Sequence, residues 1–493
     1  MIRHTRVAFL RGLGVVFAIA FVSIAVQVEG LIGENGLAPT GAFLGAAREA
    51  LGGSSPLRLP TVFWLDASDR ALETACGVGI AASVALAVGI APLPALAACW
   101  LLYLSFANVG QPFLLYQWDA LLLETGFLAL FWAPLALRLR PLGEPSRVVL
   151  WLFRWLVFRL MFFSGWVKLA SSDRTWWSLT ALEYHYETQP IPAWTSWYAH
   201  QLPAWAQKAS CAATFGIELG LPFLVFAGRR ARAVACAGFV ALQALIAATG
   251  NYGFFNLLTV VLCIPLLDDA ALAALARRLV PRRRAVADVP AGARRPRGIA
   301  LVRDVAVAAL LLALTAPLAL AQLAGRWPRA LGPLALVSEA ADPFHLVGHY
   351  GLFAVMTLTR PEIVVEGSDD GATWKPYVFR WKPGPLDRAP SFVEPHMPRL
   401  DWQMWFDALY FERALHGGRI GRELVTPRLV EKLLAASPPV LALLAVDPFG
   451  GAPPAQIRWQ LWDYRFTDRE ERARTGAWWK RTLLYESQPI TRR

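Results

Sequence analysis

The residues predict a polytopic α-helical membrane bundle of about nine spans, followed by a β-rich mixed domain outside the cytoplasm. Three observations carry that prediction. The 493-residue chain is 56% hydrophobic and only 17% charged, against roughly a quarter charged in ordinary soluble domains. Long apolar windows recur up to about residue 324, punctuated by Arg clusters. Beyond about residue 330 the pattern changes to frequent Pro, more charge and alternating stretches. The same composition excludes intrinsic disorder, which needs low hydrophobicity and high charge.

A spanning helix needs about 20 mostly apolar residues, fewer where it is short or broken. Such windows fall near 7–28, 72–90, 94–107, 113–135, 148–170, 209–227, 232–249, 254–268 and 301–324. Arg3 and Arg6 precede the first, and no small-residue cleavage site follows Val28, so it reads as a retained signal anchor. A cytoplasmic N-terminus puts loops 136–147, 228–231 and 269–300 in the cytoplasm. These are the Arg-rich loops, as the positive-inside rule requires. Loops 29–71 and 171–208 then fall outside, and with nine spans so does the tail. The expected division is a membrane domain over 1–327 and an extracytoplasmic domain over 328–493, with 281–297 as a flexible basic linker.

Within the tail, Pro361–Gly367 reads as a strand, Asp369–Ala372 as a tight turn and Trp374–Arg380 as the return strand. Asp-Gly between β-branched and aromatic runs is a strong hairpin signal. Residues 402–415 and 426–436 read as helices. The net charge of +12 comes almost wholly from Arg placed between apolar spans, so nucleic acid is not the predicted partner. The five cysteines include no Cys-x-x-Cys pair, which argues against a disulfide framework or zinc finger.

Several strings carry a family resemblance: NVGQPFLLYQWDALLLETGF at 108–127, RLMFFSGWVK at 159–168, LEYHYETQP at 182–190, TGNYGFFNLL at 249–258 and HMPRLDWQMW at 396–405. On these the chain resembles the lipase maturation factor family over nearly its whole length. The resemblance implies a multi-pass membrane protein with a non-cytoplasmic C-terminal domain that helps exported proteins, lipases among them, become active. The Arg- and Ala-rich composition points to a bacterial inner membrane, where eukaryotic relatives would occupy the endoplasmic reticulum. The implied partners are exported client proteins and membrane lipids. A shorter stretch, Gly165-Trp-Val-Lys168-Leu169 with Trp176 following, is similar to the transmembrane part of vitamin K-dependent gamma-carboxylases. That similarity implies a second reading, a membrane-embedded enzyme with Lys168 as base.

Charges inside spans cost on the order of 2.5–3.5 kcal/mol each on insertion scales, so each is expected to face a partner or a cavity. Asp119 and Glu124 fall in the fourth span, Arg159 and Lys168 in the fifth and Glu218 in the sixth. Two readings follow. Either these residues form interhelical ion pairs, or Lys168, Asp119 and Glu124 line an outward-opening cavity. In the second case a desolvated Lys168 would act as a base, and the cavity would hold a lipid or quinone; no other cofactor and no metal is expected.

Loop 171–208 packs Tyr184, His185, Tyr186, Glu187 and Gln189 into six residues. His185 and Glu187 are the candidate acid–base pair, while Trp176, Trp177, Trp194 and Trp197 read as headgroup anchors. Tyr184, Tyr186, Gln189, His396, Asp401 and Trp402 are the candidate client surface. His345 and His349 have metal-pair spacing but no evident third ligand. Asn251 and Asn256 mark a broken helix end. There is no Gly-x-Ser-x-Gly elbow, P-loop or dinucleotide fingerprint, so neither a lipase of that kind nor nucleotide chemistry is indicated.

Overall fold

The computed structural model describes residues 2–141, 143–279, 298–325, 327, 332–420 and 424–492. The basic linker 281–297 lies outside the described residues. The membrane part comprises α1 (Arg3–Ala25), α2 (Asp69–Val88), α3 (Pro92–Val109), α4 (Gln117–Leu130) and α5 (Arg147–Ala170). The loop helix α6 (Ala181–Thr188) comes next. It is followed by α7 (Ala204–Phe226), α8 (Arg229–Thr249), α9 (Phe255–Leu266) and α10 (Gly298–Ala324). Among the described residues, seven helices are long and apolar enough to cross a membrane. At about 1.5 Å per residue, the 23 residues of α1 reach across a bilayer core. The other two sequence windows became the shorter helices α4, of 14 residues, and α9.

The two ends of the bundle differ in chemistry. At one end Asp269 accepts from the backbone nitrogens of Arg3 and Thr5, Arg3 pairs with Glu144, and Arg229 pairs with Asp268. The N-terminus and the described parts of the Arg-rich loops therefore gather together. At the other end α1 meets the tail: Ser23 Oγ accepts from Met397 N at 2.9 Å, and Gln27 Oε1 from Arg399 N at 3.0 Å. Loop 29–71 lies on that same end, where Ser437 Oγ donates to Asn35 O at 2.8 Å.

The tail holds β1 (Pro361–Ser368), β2 (Lys375–Phe379), α11 (Arg399–Leu415), α12 (Thr426–Leu434), β3 (Leu444–Val446), β4 (Gln456–Phe466), β5 (Trp479–Glu486) and β6 (Ile490–Thr491). The strands make one antiparallel sheet ordered β3-β2-β1-β4-β5, with β6 also on β4. The β1–β2 hairpin forms as its turn residues predict, with Val365 opposite Tyr377. Its turn is longer than two residues. Asp370 accepts from Ala372 N at 2.8 Å and Thr373 N at 2.7 Å, and Gly371 takes φ +72, a left-handed value that suits glycine. α11 packs on β1, burying Trp402, Met404 and Ala408. One hydrophobic core runs from α1 through the bundle into this sheet, joining Phe21, Leu121 and Phe254 to Met397, Ile363 and Leu461.

Candidate functional site

Each acidic or basic side chain singled out in the spans meets an opposite charge, though not always on the expected neighbour. Glu124 pairs with Arg159 across α4 and α5, and also accepts from Gly348 N at 2.8 Å and Tyr350 Oη at 2.6 Å. Lys168 turns away from α4. Its Nζ lies 3.0 and 2.8 Å from the carboxylate oxygens of Glu218 on α7 and 3.0 Å from Ser164 O. All three ammonium protons are thereby committed. Two local features bring Glu218 within reach. Gly165 lets α7 approach α5, since a Cβ there would sit 2.9 Å from Glu218 Cβ. In addition α7 widens into a π-helical turn at Gly216–Gly220, a distortion frequent at functional positions.

Asp119 takes its counter-charge from the tail. Arg399 on α11 grips it with two bonds of 3.0 and 2.8 Å and also donates to Phe113 O at 2.7 Å. Tyr103 Oη completes the node, donating to Asp119 and lying 3.2 Å from Arg399 Nη2. Burial opposes the guanidinium's charge, but Asp119 and then Tyr103 outweigh it, so Arg399 stands above its ordinary pKa. Asp119 and Glu124 therefore do not share a cavity with Lys168, which corrects the expected lining. They are five residues apart, so they face different neighbours.

The cavity that Lys168 does line has a volume of about 110 Å³ and lies between α5, α7, α8 and α9, capped by loop residues. Glu218, His185, Gln243, Tyr252 and Asn256 supply its polar groups; Leu160, Met161, Ile246 and Phe353 supply apolar wall. His185 sits here with its Nε2 3.2 Å from Tyr252 Oη. Burial, with Lys168 adding to it, depresses its pKa to about 4, so it is neutral at physiological pH.

Glu187 points elsewhere. It binds Arg465 at 2.9 Å and Phe466 N at 3.0 Å, so no acid–base pair with His185 is assembled. The physical cause is the helical geometry of α6, where neighbours two apart face different directions.

The candidate client surface is largely interior. Tyr186, Gln189, Asp401 and Trp402 are buried, while Tyr184 and His396 are half-buried. Gln189 Nε2 donates to Thr249 O and its Oε1 accepts from Tyr252 Oη. Asp401 accepts from Trp381 N and Lys382 N, both at 2.9 Å. His396 Nδ1 lies 3.1 Å from Ser23 Oγ, and burial lowers its pKa to about 4. The four tryptophans divide: Trp177 and Trp194 are exposed, whereas Trp176 and Trp197 are buried and donate to Phe353 O and Thr467 O. The anchor reading is corrected for those last two, whose indole nitrogens bind the tail.

These strings instead form a polar seam between the bundle and the tail. Arg360, fully buried, donates to the carbonyls of Glu187, Gln189 and Pro190 and to Glu362. Asn251 Oδ1 accepts from Val393 N at 2.7 Å, and its Nδ2 donates to Ser391 O at 2.8 Å. Glu394 accepts from Tyr252 N at 2.6 Å and Asn256 Nδ2 at 2.9 Å. Burial outweighs those bonds and pushes the Glu394 carboxyl up to about 7.

Sequence reasoning missed Arg399, Arg360, Glu394 and Tyr252. The sequence offered Asp119 a cation on the neighbouring span; the signal for the true partner was that Arg399 lies inside a string already singled out. His345 and His349 gather no further ligands; among the described residues no group of three or more His, Cys, Asp or Glu side chains is placed to hold a metal.

With this geometry in hand, comparisons with known proteins are informative. Residues 4–274 match the family described as lipase maturation factor transmembrane domain, and residues 346–489 match lipase maturation factor C-terminal domain. The chain is similar to lipase maturation factor 2 of Gallus gallus, at 36% identity over 99% of this chain and 81% of that protein. It is similar to Homo sapiens lipase maturation factor 2 at 36% over 99% and 82%. Against Homo sapiens lipase maturation factor 1 the figures are 35% over 97% and 86%. No solved structure matches.

Two outcomes are expected from the seam. Arg399→Met strands a buried carboxylate and should destabilise the protein by about 3–5 kcal/mol, while adding Asp119→Leu should recover much of that loss; thermal unfolding of the single and double variants measures it. Glu394, raised from 4.5 to about 7 in the folded state, stabilises the fold most below pH 4.5. That contribution is lost as pH rises through about 7, because the folded form holds its proton more tightly than the unfolded form. The melting temperature should fall over this window in wild type and change less in Glu394→Gln; equal slopes would exclude the carboxyl as the cause.

Proposed function

The chain belongs to the lipase maturation factor family, and from that premise we propose that it is a membrane-bound maturation factor that helps exported lipases reach an active, assembled state. The observation that supports this most is that its similarity to proteins named lipase maturation factor runs through both the membrane helices and the tail. In this reading the Arg-rich end of the bundle lies in the cytoplasm, as the positive-inside rule favours. The sheet, loop 29–71 and loop 171–208 lie on the far side of a bacterial inner membrane, where clients emerge. The division into 1–327 and 328–493 belongs to the same proposal.

The proposed client surface moves from the seam to β5. This strand buries only Trp479 and exposes the rest, including Leu483, Leu484 and Tyr485 at 44%, 41% and 40%. It ends the sheet on one side, so it carries a free row of backbone hydrogen-bonding groups. An extended, unfinished segment of a client can pair there, with its side chains against the apolar residues. The enzymatic alternative draws no support from Lys168, whose protons are all given to Glu218 and Ser164.

Cells lacking the chain, supplied with a lipase client and either wild type or Leu483→Lys with Tyr485→Lys, test the proposal through secreted lipase activity per lipase molecule. The double variant should lower that ratio about tenfold or more, as losing two interface anchors would, with secreted amount less affected. A ratio unchanged by removing the whole chain would overturn the maturation reading; a ratio lost without the chain but kept by the double variant would overturn β5 alone. Reagents reaching a cysteine placed at Ala452 from outside intact cells, and one placed at Ala273 only after lysis, would agree with the orientation.

A further inference from the structure

The cavity beside Lys168 has a polar inventory that the maturation role does not use. Gln243 and Asn256, only 5% and 4% exposed, both line it. Their carbonyl oxygens, Gln243 Oε1 and Asn256 Oδ1, have no hydrogen-bond partner among the described residues. A buried acceptor left unpaired costs about 1–3 kcal/mol, and two around one cavity call for a donor inside it. The other lining groups have little to offer in return. Lys168 is committed to Glu218 and Ser164; Ser164, Thr214 and Thr259 donate to carbonyls of their own helices; Tyr252 donates to Gln189.

That inventory selects among ligands. A quinone or ester carbonyl only accepts, so it would leave Asn256 Oδ1, whose orientation is fixed by the bond from Nδ2 to Glu394, unpaired. A phosphate would bring negative charge beside Glu218 without a free cation, since Lys168 is already neutralised. An ammonium headgroup would be repelled by Lys168 and would find Glu218 occupied. A neutral alcohol satisfies the site, because each hydroxyl can donate to an amide oxygen. The volume of about 110 Å³ corresponds to about four water-sized groups, which fits a small polyol head but no acyl chain.

The walls say where the chain goes. α7 and α8 lie on the perimeter: only 22% and 28% of their apolar windows are buried in the protein. They pack together at the Leu221–Phe226 end, and loop helices cover their other ends. Thr214 of α7 and Ile246 of α8 line the cavity while staying partly exposed, and the adjacent Leu245 faces outward at 64% exposure. We propose that this cavity binds the hydroxylated head of a neutral lipid of the monoacylglycerol type, with Gln243 and Asn256 accepting its hydroxyl protons and its acyl chain leaving between α7 and α8 into the bilayer. This site is separate from β5 and stands or falls independently of the client reading.

The test uses the full chain in lipid nanodiscs with a photoreactive monoacylglycerol whose diazirine sits early in the acyl chain. Cross-linked residues are mapped by peptide mass spectrometry, with competition by monooleoylglycerol, by its dimethyl ether, which loses both donors, or by propyl oleate, which loses both hydroxyls without added bulk and should compete no better than the ether. Labelling should concentrate on residues lining the cavity in α7, α8 and α9, and the alcohol should compete at least about fivefold better than the ether, the worth of a hydrogen bond. Gln243→Leu should reduce the alcohol's advantage, Ile246→Trp should block labelling by filling the exit, and the outward Leu245→Trp should leave it unchanged. Labelling spread evenly over outward faces, no labelling of the cavity, or equal competition by the ether would each overturn the proposal. The comparison of competitors on wild type stands even if a variant fails to fold.

Discussion

A carboxylate buried where a helical bundle meets its neighbouring domain cannot remain charged without a counter-charge, and Asp119 takes its own from Arg399, 280 residues further along the chain. The pair is fully buried, bidentate and supported by Tyr103 and the Phe113 carbonyl. Its net worth against an apolar alternative is small, since desolvating both ions offsets their attraction. Its value is in specification. Until α11 arrives, α4 carries an unpaired charge and Arg399 has no acceptor, so the bundle and the tail complete each other.

The other polar strings extend the same constraint. Arg360 reaches from the edge of β1 to three carbonyls at the end of α6, those of Glu187, Gln189 and Pro190, where the helix runs out and its carbonyls lack intrahelical partners. Glu394 does the equivalent for the break before α9 by accepting from Tyr252 N, and Asn251 in that break accepts in turn from Val393 N of the tail. Irregular backbone near a membrane is tolerated only where protein or water satisfies it, and here the tail supplies the partners. Ser23 and Gln27 at the end of α1 bind the turn before α11 on the same principle.

Apolar periodicity made the spans legible, because hydrophobic length is a local property: each of the nine windows holds a helix. The β1–β2 hairpin was legible for the same reason, its Asp-Gly signal lying within a few residues. Pairings were harder. Glu124 with Arg159 joins consecutive spans, and so does Lys168 with Glu218, but which cation takes which carboxylate depends on Gly165 and the π-turn of α7, which bring Glu218 within reach. Asp119 with Arg399 could not be read from spacing at all. Dense polar strings such as YHYETQP look like an exposed site when read alone, because the sequence does not display the buried backbone groups they satisfy. Burial of Gln189, Asp401 and Trp402 reverses that inference.

This reversal bears on where function should be sought. Residues that hold the seam spend most of their donors and acceptors within the chain, and opening them to a partner would first forfeit those bonds. Groups free to act must be those that folding leaves unspent. β5 is one such place, since it pairs on one side only and exposes Leu483, Leu484 and Tyr485. Lys480 and Arg481 on the same strand are the kind of charge that keeps an edge from pairing indiscriminately. Being fixed through β4 and β1 to Arg360, the edge is presented by a sheet that the seam holds rigidly against the bundle. A preorganised edge loses little freedom on binding, so pairing with a flexible client segment draws its ordering cost from the client alone. In the proposed role, that asymmetry would favour capture of unfinished chains and release once the client's own strands compete for the same backbone groups.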